Sequence, residues 1–209
     1  MKFEKVVSGF KIIPADFFCR PVLEVAKSLV GVYLFTRRNG VLCGGKIVEC
    51  EAYLGSNDEA SHASCGLTER NKYMFGPSGV AYVYVIYGIH HCFNVTAGLK
   101  NEAGALLIRS IKPEYGIEKM RERRDGAVLE KIAKGPANLT RSLGITLKDN
   151  GKNLPAEDLF FADNGREKIP FARTSRIGIS KATDFKYRYI SKKSNFISGS
   201  KKINRNEEV

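Results

Sequence analysis

At residues 47–55 the chain reads Ile47-Val48-Glu49-Cys50-Glu51-Ala52-Tyr53-Leu54-Gly55. A β-strand points alternate side chains to opposite faces of a sheet. One face of this strand carries a small apolar set that suits a protein core, made up of Val48, Cys50, Ala52 and Leu54. The other face carries Ile47, Glu49, Glu51 and Tyr53. Because two carboxylates and an aromatic ring share that second face, the stretch predicts a functional site on a strand whose other side packs into the core.

The segments around this strand predict a single α+β domain. Asn39-Gly40 is typical of a type I′ hairpin leading into the acidic strand. Apolar runs bounded by turn residues predict strands at residues 32–36, 46–53, 80–86, 90–96, 105–111, 159–162 and 177–179. Helices are predicted from Pro21 to a stop at Gly31 and over residues 116–130 and 136–143. Strands in hairpins with helices outside them are typical of the α+β class. We expect one domain over residues 1–203 and a frayed tail at 204–209.

The charge of the chain favours a polyanionic partner. Lys and Arg number 34 and Asp and Glu number 22, so the formal net charge is +12. Such an excess favours nucleic acid first and an anionic membrane surface second. The simpler alternative is a basic protein without any such partner.

Several classes of protein are disfavoured. No run approaches the ~20 apolar residues of a membrane-spanning helix, and the N-terminal segment lacks the features of a secretory signal. Five widely spaced cysteines form no Cys-x-x-Cys pair, so neither a disulfide framework nor a zinc site is predicted. Gly40 to Lys46 resembles a P-loop, but Ile47 replaces its Ser or Thr and a strand follows. We expect no metal, no cofactor and no membrane, and a location in the bacterial cytoplasm with its nucleoid, or in a eukaryotic nucleus.

The acidic strand offers one candidate for catalysis. Residues two apart on a strand have Cα atoms about 6.6 Å apart. Carboxylates at that spacing suit acid–base hydrolysis of a glycosidic bond. Alternatively, Glu49 and Glu51 are both solvent-exposed strand acids. The spacing does not tell which of the two would be the base.

Aromatic and cationic side chains form a second group of candidates. Tyr82, Tyr84 and Tyr87 follow one another closely, and rings beside a pocket stack well on nucleobases. Core packing is the alternative for Tyr82, whereas Tyr87 at a hairpin tip suits an exposed wedge. His62 lies in a Gly- and Ser-rich loop, where a surface role is the alternative. Arg109 ends an apolar run, so we expect it to pair with an acid, with Glu51 as the candidate.

Taken together, these segments resemble the alkyladenine (3-methyladenine) DNA glycosylase family. The resemblance keeps its order from about residue 11 to residue 199 and is most specific around Glu51 and Tyr84. Its matching pieces are Phe17-Phe18, residues 47–55, Asp58-Glu59-Ala60-Ser61-His62, Arg70-Asn71, Met74-Phe75, residues 82–88, Phe93-Asn94-Val95, Leu107-Ile108-Arg109, Gly135-Pro136 with Leu139, and Arg176-Ile177-Gly178-Ile179. It implies a curved, mainly antiparallel sheet with a protruding β-hairpin and peripheral helices.

The resemblance also implies a reaction. A family member of this kind is a monofunctional hydrolase that flips damaged purines out of duplex DNA, cuts the N-glycosidic bond and leaves an abasic site. Glu51 would be the general base that activates water. Arg109 and the main-chain carbonyl of Ile177 would help to hold that water. The implied partner is double-stranded DNA with alkylated or deaminated purines, and the protein would act as a monomer.

Five further residues receive roles from the resemblance. Tyr53 would stack on one face of the flipped base, and His62 and Tyr84 on the other, with the His62 amide bonded to the purine edge. Asn94 would oppose the exocyclic amino group of guanine. Tyr87 would fill the gap left in the base stack. Unpairing and unstacking a base costs a few kcal/mol, least for damaged bases, and such a wedge offsets part of that cost.

Two other function classes remain as alternatives. A nucleic-acid-binding module without catalysis, related to the C-terminal domain of formyltransferases, would need none of Glu51, Tyr53, His62 and Arg109 together. Hydrolysis of ordinary sugar glycosides is disfavoured, because a net charge of +12 does not suit a neutral substrate and the chain has no Trp for a carbohydrate platform.

Overall fold

The computed structural model describes residues 8–165, 169–192, 194–200 and 204. The predicted frayed tail therefore lies, apart from Asn204, outside the described residues, and the domain limits remain a prediction. The strands are β1 (Lys11–Ile12), β2 (Tyr33–Arg38), β3 (Val41–Tyr53), β4 (Ala81–Ile86), β5 (His90–Thr96), β6 (Ala105–Tyr115), β7 (Leu159–Asp163), β8 (Phe171–Thr174) and β9 (Arg188–Ser191). The α-helices are α1 (Val22–Leu29), α2 (Ile117–Glu122), α3 (Leu129–Ile132) and α4 (Pro136–Leu143).

These strands form one antiparallel sheet, as predicted. Its main path runs β1-β7-β2-β3-β6-β5-β4, and β9 adds to β3 and carries β8. β3 is the longest strand, with 13 residues. One edge of β3 pairs with β2 over its first half and with β9 at residues 49–51, while its other edge pairs with β6. The acidic stretch therefore lies where three strands meet.

The hairpin of β4 and β5 projects from this sheet, which confirms the predicted protruding hairpin. β5 pairs with β6 only over residues 94–96, whereas its first residues pair with β4 alone. Tyr87 lies at the tip in a left-handed conformation (φ 50°) and is 89% exposed. Non-glycine residues with a positive φ are uncommon, and those that occur are most often Asn, Asp or His. Because the Tyr87 ring is exposed, packing against the rest of the protein does not explain a tyrosine at this position.

A β-bulge in β3 corrects one detail of the predicted strand. The register with β6 shifts between Ile47 and Glu49 and again between Glu49 and Cys50. A bulge places two residues opposite one and so interrupts the alternation of faces. Ile47 consequently packs in the main core with Cys50 and Ala52. Its predicted place on the acidic face is wrong.

The helices cover the sheet from outside. α1 is confirmed, with Val22, Val25, Ala26 and Leu29 buried in the core. The single helix predicted over 116–130 is wrong, because α2 and α3 are separate short helices. Between them Asp125 and Gly126 take positive φ angles, which a helix does not tolerate. None of the helices in the described ranges is long and apolar enough to cross a membrane.

The strand predicted at 177–179 is also wrong. Those residues belong to the irregular segment between β8 and β9, where Gly178 has a φ of 79°. The amide of Ile177 donates to the Glu51 carboxylate, 2.8 Å away, so it takes no part in a sheet ladder. The expectation that Gly40 to Lys46 forms no P-loop is confirmed, because Gly45 lies within β3. Its glycine has a packing reason, since an added Cβ would lie 2.0 Å from the Lys112 carbonyl oxygen.

Candidate active site

A cavity of about 530 Å³ opens beside the projecting hairpin. Small-molecule sites in proteins span roughly 300–1,000 Å³. Its wall is built by β4, β5, β6, the loop after β3 and the segment after β8. The wall includes seven of the eight side chains or segments that the sequence predicted for the site: Tyr53, His62, Tyr84, Tyr87, Asn94, Arg109 and Ile177.

Glu51, the eighth, lies directly behind this wall and is fully buried. Its Oε1 accepts a hydrogen bond from the Ile177 amide at 2.8 Å. Its Oε2 accepts one from the Tyr53 hydroxyl at 2.8 Å and one from Arg109 Nη1 at 3.2 Å. A carboxylate has about four acceptor positions, so three donors leave room for one more. All three donors belong to residues of the cavity wall.

Glu49 is bound very differently. It is also fully buried, and its Oε1 accepts from Arg109 Nε at 3.0 Å and from Arg188 Nε at 2.7 Å. The Ser110 hydroxyl and both the amide and hydroxyl of Ser198 complete the set, at 2.6–2.9 Å. Five donors exceed the usual capacity of a carboxylate. Glu49 therefore has no free position for a substrate or a water, and the two acids are not solvent-exposed strand residues.

The charges in this cluster support one another. Burial disfavours the charged form of Glu49, but Arg109 and Arg188 lower its pKa below the ordinary value. Burial likewise opposes the charge on Arg109, and Glu51 and Glu49 raise its pKa. Burial and the neighbouring Glu51 raise the pKa of Tyr53 well above its usual value. Tyr53 is therefore a neutral hydrogen-bond donor at pH 7, and the predicted pairing of Arg109 with Glu51 is confirmed.

Aromatic rings form another part of the wall. The His62 and Tyr84 rings lie 4.7 Å apart, edge to face. The His62 Nδ1 lies 2.8 Å from the hydroxyl of Tyr82, a residue that is buried as expected for core packing. Burial and the nearby Arg70 lower the pKa of His62 from its usual 6.5. The imidazole is therefore neutral at pH 7 and would not repel a cationic ligand.

Asn94 and Tyr87 lie at different depths in this cavity. Asn94 is 3% exposed, and its Nδ2 donates to the Tyr82 carbonyl at 3.0 Å, which fixes the plane of the amide. Tyr87 stands at the rim on the hairpin tip. The cavity thus combines a hydrogen-bonded carboxylate, flat aromatic surfaces, one fixed amide and an exposed ring at its edge.

Comparison with known proteins assigns the family. A family model described as methylpurine-DNA glycosylase (MPG) matches residues 16–195. The chain belongs to this family. The methylpurine-DNA glycosylases are DNA repair enzymes that act on alkylated purines, so the suspected family and enzyme class are confirmed.

Relatives of this protein align with about nine-tenths of the chain. Three of them carry the name "Putative 3-methyladenine DNA glycosylase". The protein from Koribacter versatilis is 42% identical over 192 residues, which cover 90% of this chain and 93% of the relative. That from Carboxydothermus hydrogenoformans is 43% identical over 189 residues, with 90% and 98% covered. That from Methanoculleus marisnigri is 42% identical over 190 residues, with 89% and 98% covered.

Sequence reasoning missed a buried ion pair that supports the candidate active site. The Arg176 guanidinium binds the Asp58 carboxylate through two nitrogens at 2.6 and 2.7 Å and lies 4.6 Å from the centre of the Tyr53 ring. Arg176 directly precedes Ile177, whose amide holds Glu51. The pair therefore joins the loop of His62 to both Tyr53 and Glu51. Both residues belong to the motifs that carry the family resemblance, which was the only signal for them.

Asn71 supports the His62 loop from within. Its side chain is buried, and Nδ2 donates to the carbonyls of His62 and Gly66, each at 2.8 Å. Its Oδ1 accepts from the Thr68 amide at 2.7 Å. Three bonds from one amide therefore link the two 3-10 helices of this loop, His62–Cys65 and Lys72–Phe75. No group of His, Cys, Asp and Glu in the described part of the chain is arranged to hold a metal ion.

Proposed function

We propose that this protein flips alkylated or deaminated purines out of duplex DNA and hydrolyses their N-glycosidic bond with Glu51 as the base. One observation carries the proposal: Glu51 is held by three donors of the cavity wall and keeps one acceptor position free. That position is where a water would donate its proton. Glu49, with five donors, serves only to hold Arg109 and Arg188 in place.

The chemistry needs little beyond this carboxylate and the water. As the glycosidic bond breaks, the sugar gains oxocarbenium character and positive charge. A buried, fixed carboxylate stabilises that charge strongly, because few water molecules compete with it. Arg109 fixes the Glu51 carboxylate through a hydrogen bond from Nη1 to Oε2 at 3.2 Å. The main-chain carbonyl of Ile177 and the Arg109 guanidinium would hold the water from the other side.

The aromatic walls suit alkylated purines. Alkylation leaves such bases cationic, and a cation above an aromatic face gains about 0.5–2 kcal/mol. In the proposed pose Tyr53 covers one face of the base and His62 with Tyr84 cover the other. The neutral state of His62 avoids repulsion of that cation. The His62 amide bonds the purine edge, and the fixed Asn94 amide clashes with the amino group of guanine, which rejects the normal base.

The proposed activity is tested by measuring base release from two kinds of duplex. DNA treated with a methylating agent should release 3-methyladenine, detected by chromatography. A duplex with one hypoxanthine should yield a strand break at that position only after alkali, because a monofunctional glycosylase leaves the backbone intact. Breaks that form without alkali would contradict the hydrolytic mechanism. Tight binding of lesion DNA with no base released would support the alternative of a non-catalytic binding module.

Tyr87→Ala is expected to slow excision in single-turnover assays, whereas Tyr87→Phe should retain most of the wild-type rate. Stacking of a base on an aromatic side chain is worth about 1–3 kcal/mol, so loss of the ring should slow the reaction by roughly 5- to 150-fold. Because Tyr87 is 89% exposed, its truncation should leave the melting temperature unchanged. Equal rates for Tyr87→Ala and wild type would exclude the wedge.

A further inference from the structure

A second cavity, of about 260 Å³, lies on the opposite flank of the hairpin. Val85, Ile86 and Tyr87 line the base cavity, whereas Ile89 to His91 line this one. Its remaining wall comes from Arg124, which follows α2, and from α4 with the residues just after it. α4 is fixed to the hairpin, because the Thr140 hydroxyl lies 3.0 Å from the His91 carbonyl and donates to it. The described residues of the wall include no Asp or Glu.

Two guanidinium groups, those of Arg124 and Arg141, line this cavity, and few acidic groups compensate their charge. Burial and the adjacent Arg141 lower the pKa of Arg124. Arg124 donates through Nε to the Ile132 carbonyl at 3.2 Å, and within the described ranges its two terminal nitrogens bind no acceptor. Arg141 binds Asp125 through Nη2 alone, in a pair whose side chains are 51% and 74% exposed. Such exposed pairs contribute about 0–1 kcal/mol, so an incoming anion can replace Asp125.

The position of this basic cavity points to one strand of DNA. The argument rests on the proposed function, in which Tyr87 occupies the gap left by the flipped base. The damaged strand then lies over the base cavity, on one flank of the hairpin. The opposite flank faces the complementary strand. His91 pairs with Val85, two residues before Tyr87 on the other strand of the hairpin. At ~3.3 Å per residue it lies about 7 Å along the stem from the tip, which is comparable to the ~6 Å width of a DNA minor groove. The hairpin stem therefore passes a sugar–phosphate backbone at this cavity.

We propose that the basic cavity binds a phosphodiester group of the strand complementary to the lesion, through Arg124 and Arg141. The planar guanidinium matches two oxygens of a phosphate, which makes it the preferred side chain for such a group. Binding also relieves the repulsion between the two guanidinium groups. The contact anchors the hairpin from the side away from the base cavity and thereby holds Tyr87 in the stack.

The site is tested first with the wild-type protein and chemically altered DNA. Methylphosphonate linkages remove the charge of single phosphates and are placed one at a time along each strand of a lesion duplex. One or two positions in the complementary strand are expected to weaken binding. One phosphate contact contributes about 0.9 to the slope of log K against log salt. Over the decade from 1 M to 0.1 M salt this contribution is about eightfold, so each neutralised contact should lower affinity at 0.1 M salt by about that factor.

The same assay on protein variants assigns the residues. For both Arg124→Gln and Arg141→Gln, the salt slope of binding to duplex DNA should fall, whether the duplex is damaged or undamaged. The affinity of these variants should not change when the methylphosphonate is placed at the position that weakens wild-type binding. Binding of a single-stranded lesion oligonucleotide should not change. Arg121→Gln is the matched control, because Arg121 is on α2 and pairs with Glu118 on the exposed surface. It should behave as wild type.

Two results would overturn the proposal. One is a methylphosphonate scan in which only the damaged strand matters; the other is an equal loss of single-strand and duplex binding in Arg124→Gln and Arg141→Gln. Failure of the proposed function has a different signature, because it appears as absent base release by the wild type. Binding to undamaged duplex requires no catalysis, so the two failures are distinguishable.

Discussion

Glu51→Gln is expected to abolish base release while lesion-DNA binding stays within a few-fold of wild type. The amide cannot take a proton from water or stabilise a cationic sugar, and general-base catalysis alone contributes about 10²–10⁴-fold. The fold should persist, because Arg109 keeps its second carboxylate at Glu49, 3.0 Å away. Single-turnover excision of hypoxanthine, with binding measured on the same duplex, checks both halves of this expectation.

Glu51→Gln also has a built-in control. Melting temperature and binding to undamaged duplex report on the fold and on the DNA surface without any catalysis. Excision at the wild-type rate by a correctly folded Glu51→Gln protein would remove Glu51 from the mechanism. A loss of lesion binding equal to the loss of excision would instead make Glu51 a residue that positions Tyr53 and Arg109.

Glu49→Gln should act on stability. The free energy of unfolding is expected to fall by about 3–5 kcal/mol, the usual cost of leaving a buried charge without its partner. Arg188 has a fully buried side chain and an ion pair with Glu49 at 2.7 Å, so the substitution leaves its charge without that carboxylate. Urea denaturation at pH 7 gives the difference. Glu59→Gln is the matched control, because Glu59 is 70% exposed at 3.7 Å from Lys181, and it should change stability by less than about 0.5 kcal/mol.

The stability of Glu49→Gln should also differ from that of the wild type in its dependence on pH. Burial raises the pKa of Glu49, but the two arginines outweigh it and lower the pKa below the usual 4.5. A group with a depressed folded-state pKa stabilises the protein above its unfolded-state pKa, and this stability is lost as the pH falls toward the folded-state value. Wild-type stability should therefore decline as the pH falls below about 4.5, and Glu49→Gln should decline less. Intact stability with lost excision in Glu49→Gln would reverse the roles of the two acids.

Local sequence pattern was sufficient for much of the fold near the site. The alternation in β4 and β5, the turn at Tyr87-Gly88 and the apolar spacing of α1 depend on residues close together in the chain, and all three predictions are confirmed. The pairing of Arg109 with an acid was predictable because a cation beside an apolar run needs a partner. The boundary between α2 and α3 was missed, since a charged segment has no apolar periodicity to mark its end.

Longer-range contacts could not be predicted in this way. The segment at 177–179 looks like a strand because its apolar residues alternate, yet its first amide is bound to a carboxylate 126 residues earlier in the chain. β8 and β9 were missed because their short sequences gain stability only from each other and from β3. The Asp58–Arg176 pair likewise joins residues 118 positions apart.

Residue types and their spacing on single strands determined that an acidic strand, an aromatic hairpin and an arginine would be neighbours in a basic α+β protein. Only the tertiary structure decided which of the two acids keeps an acceptor position free. Glu49 and Glu51 have the same side chain and lie on the same strand, and they differ in the donors that reach them. Those donors come from Arg188, Ser198 and Ile177, which folding brings to β3 from the far end of the chain. The number of hydrogen bonds a carboxylate already accepts is a property of that packing, and it distinguishes Glu49, which has no free acceptor position, from Glu51, which has one.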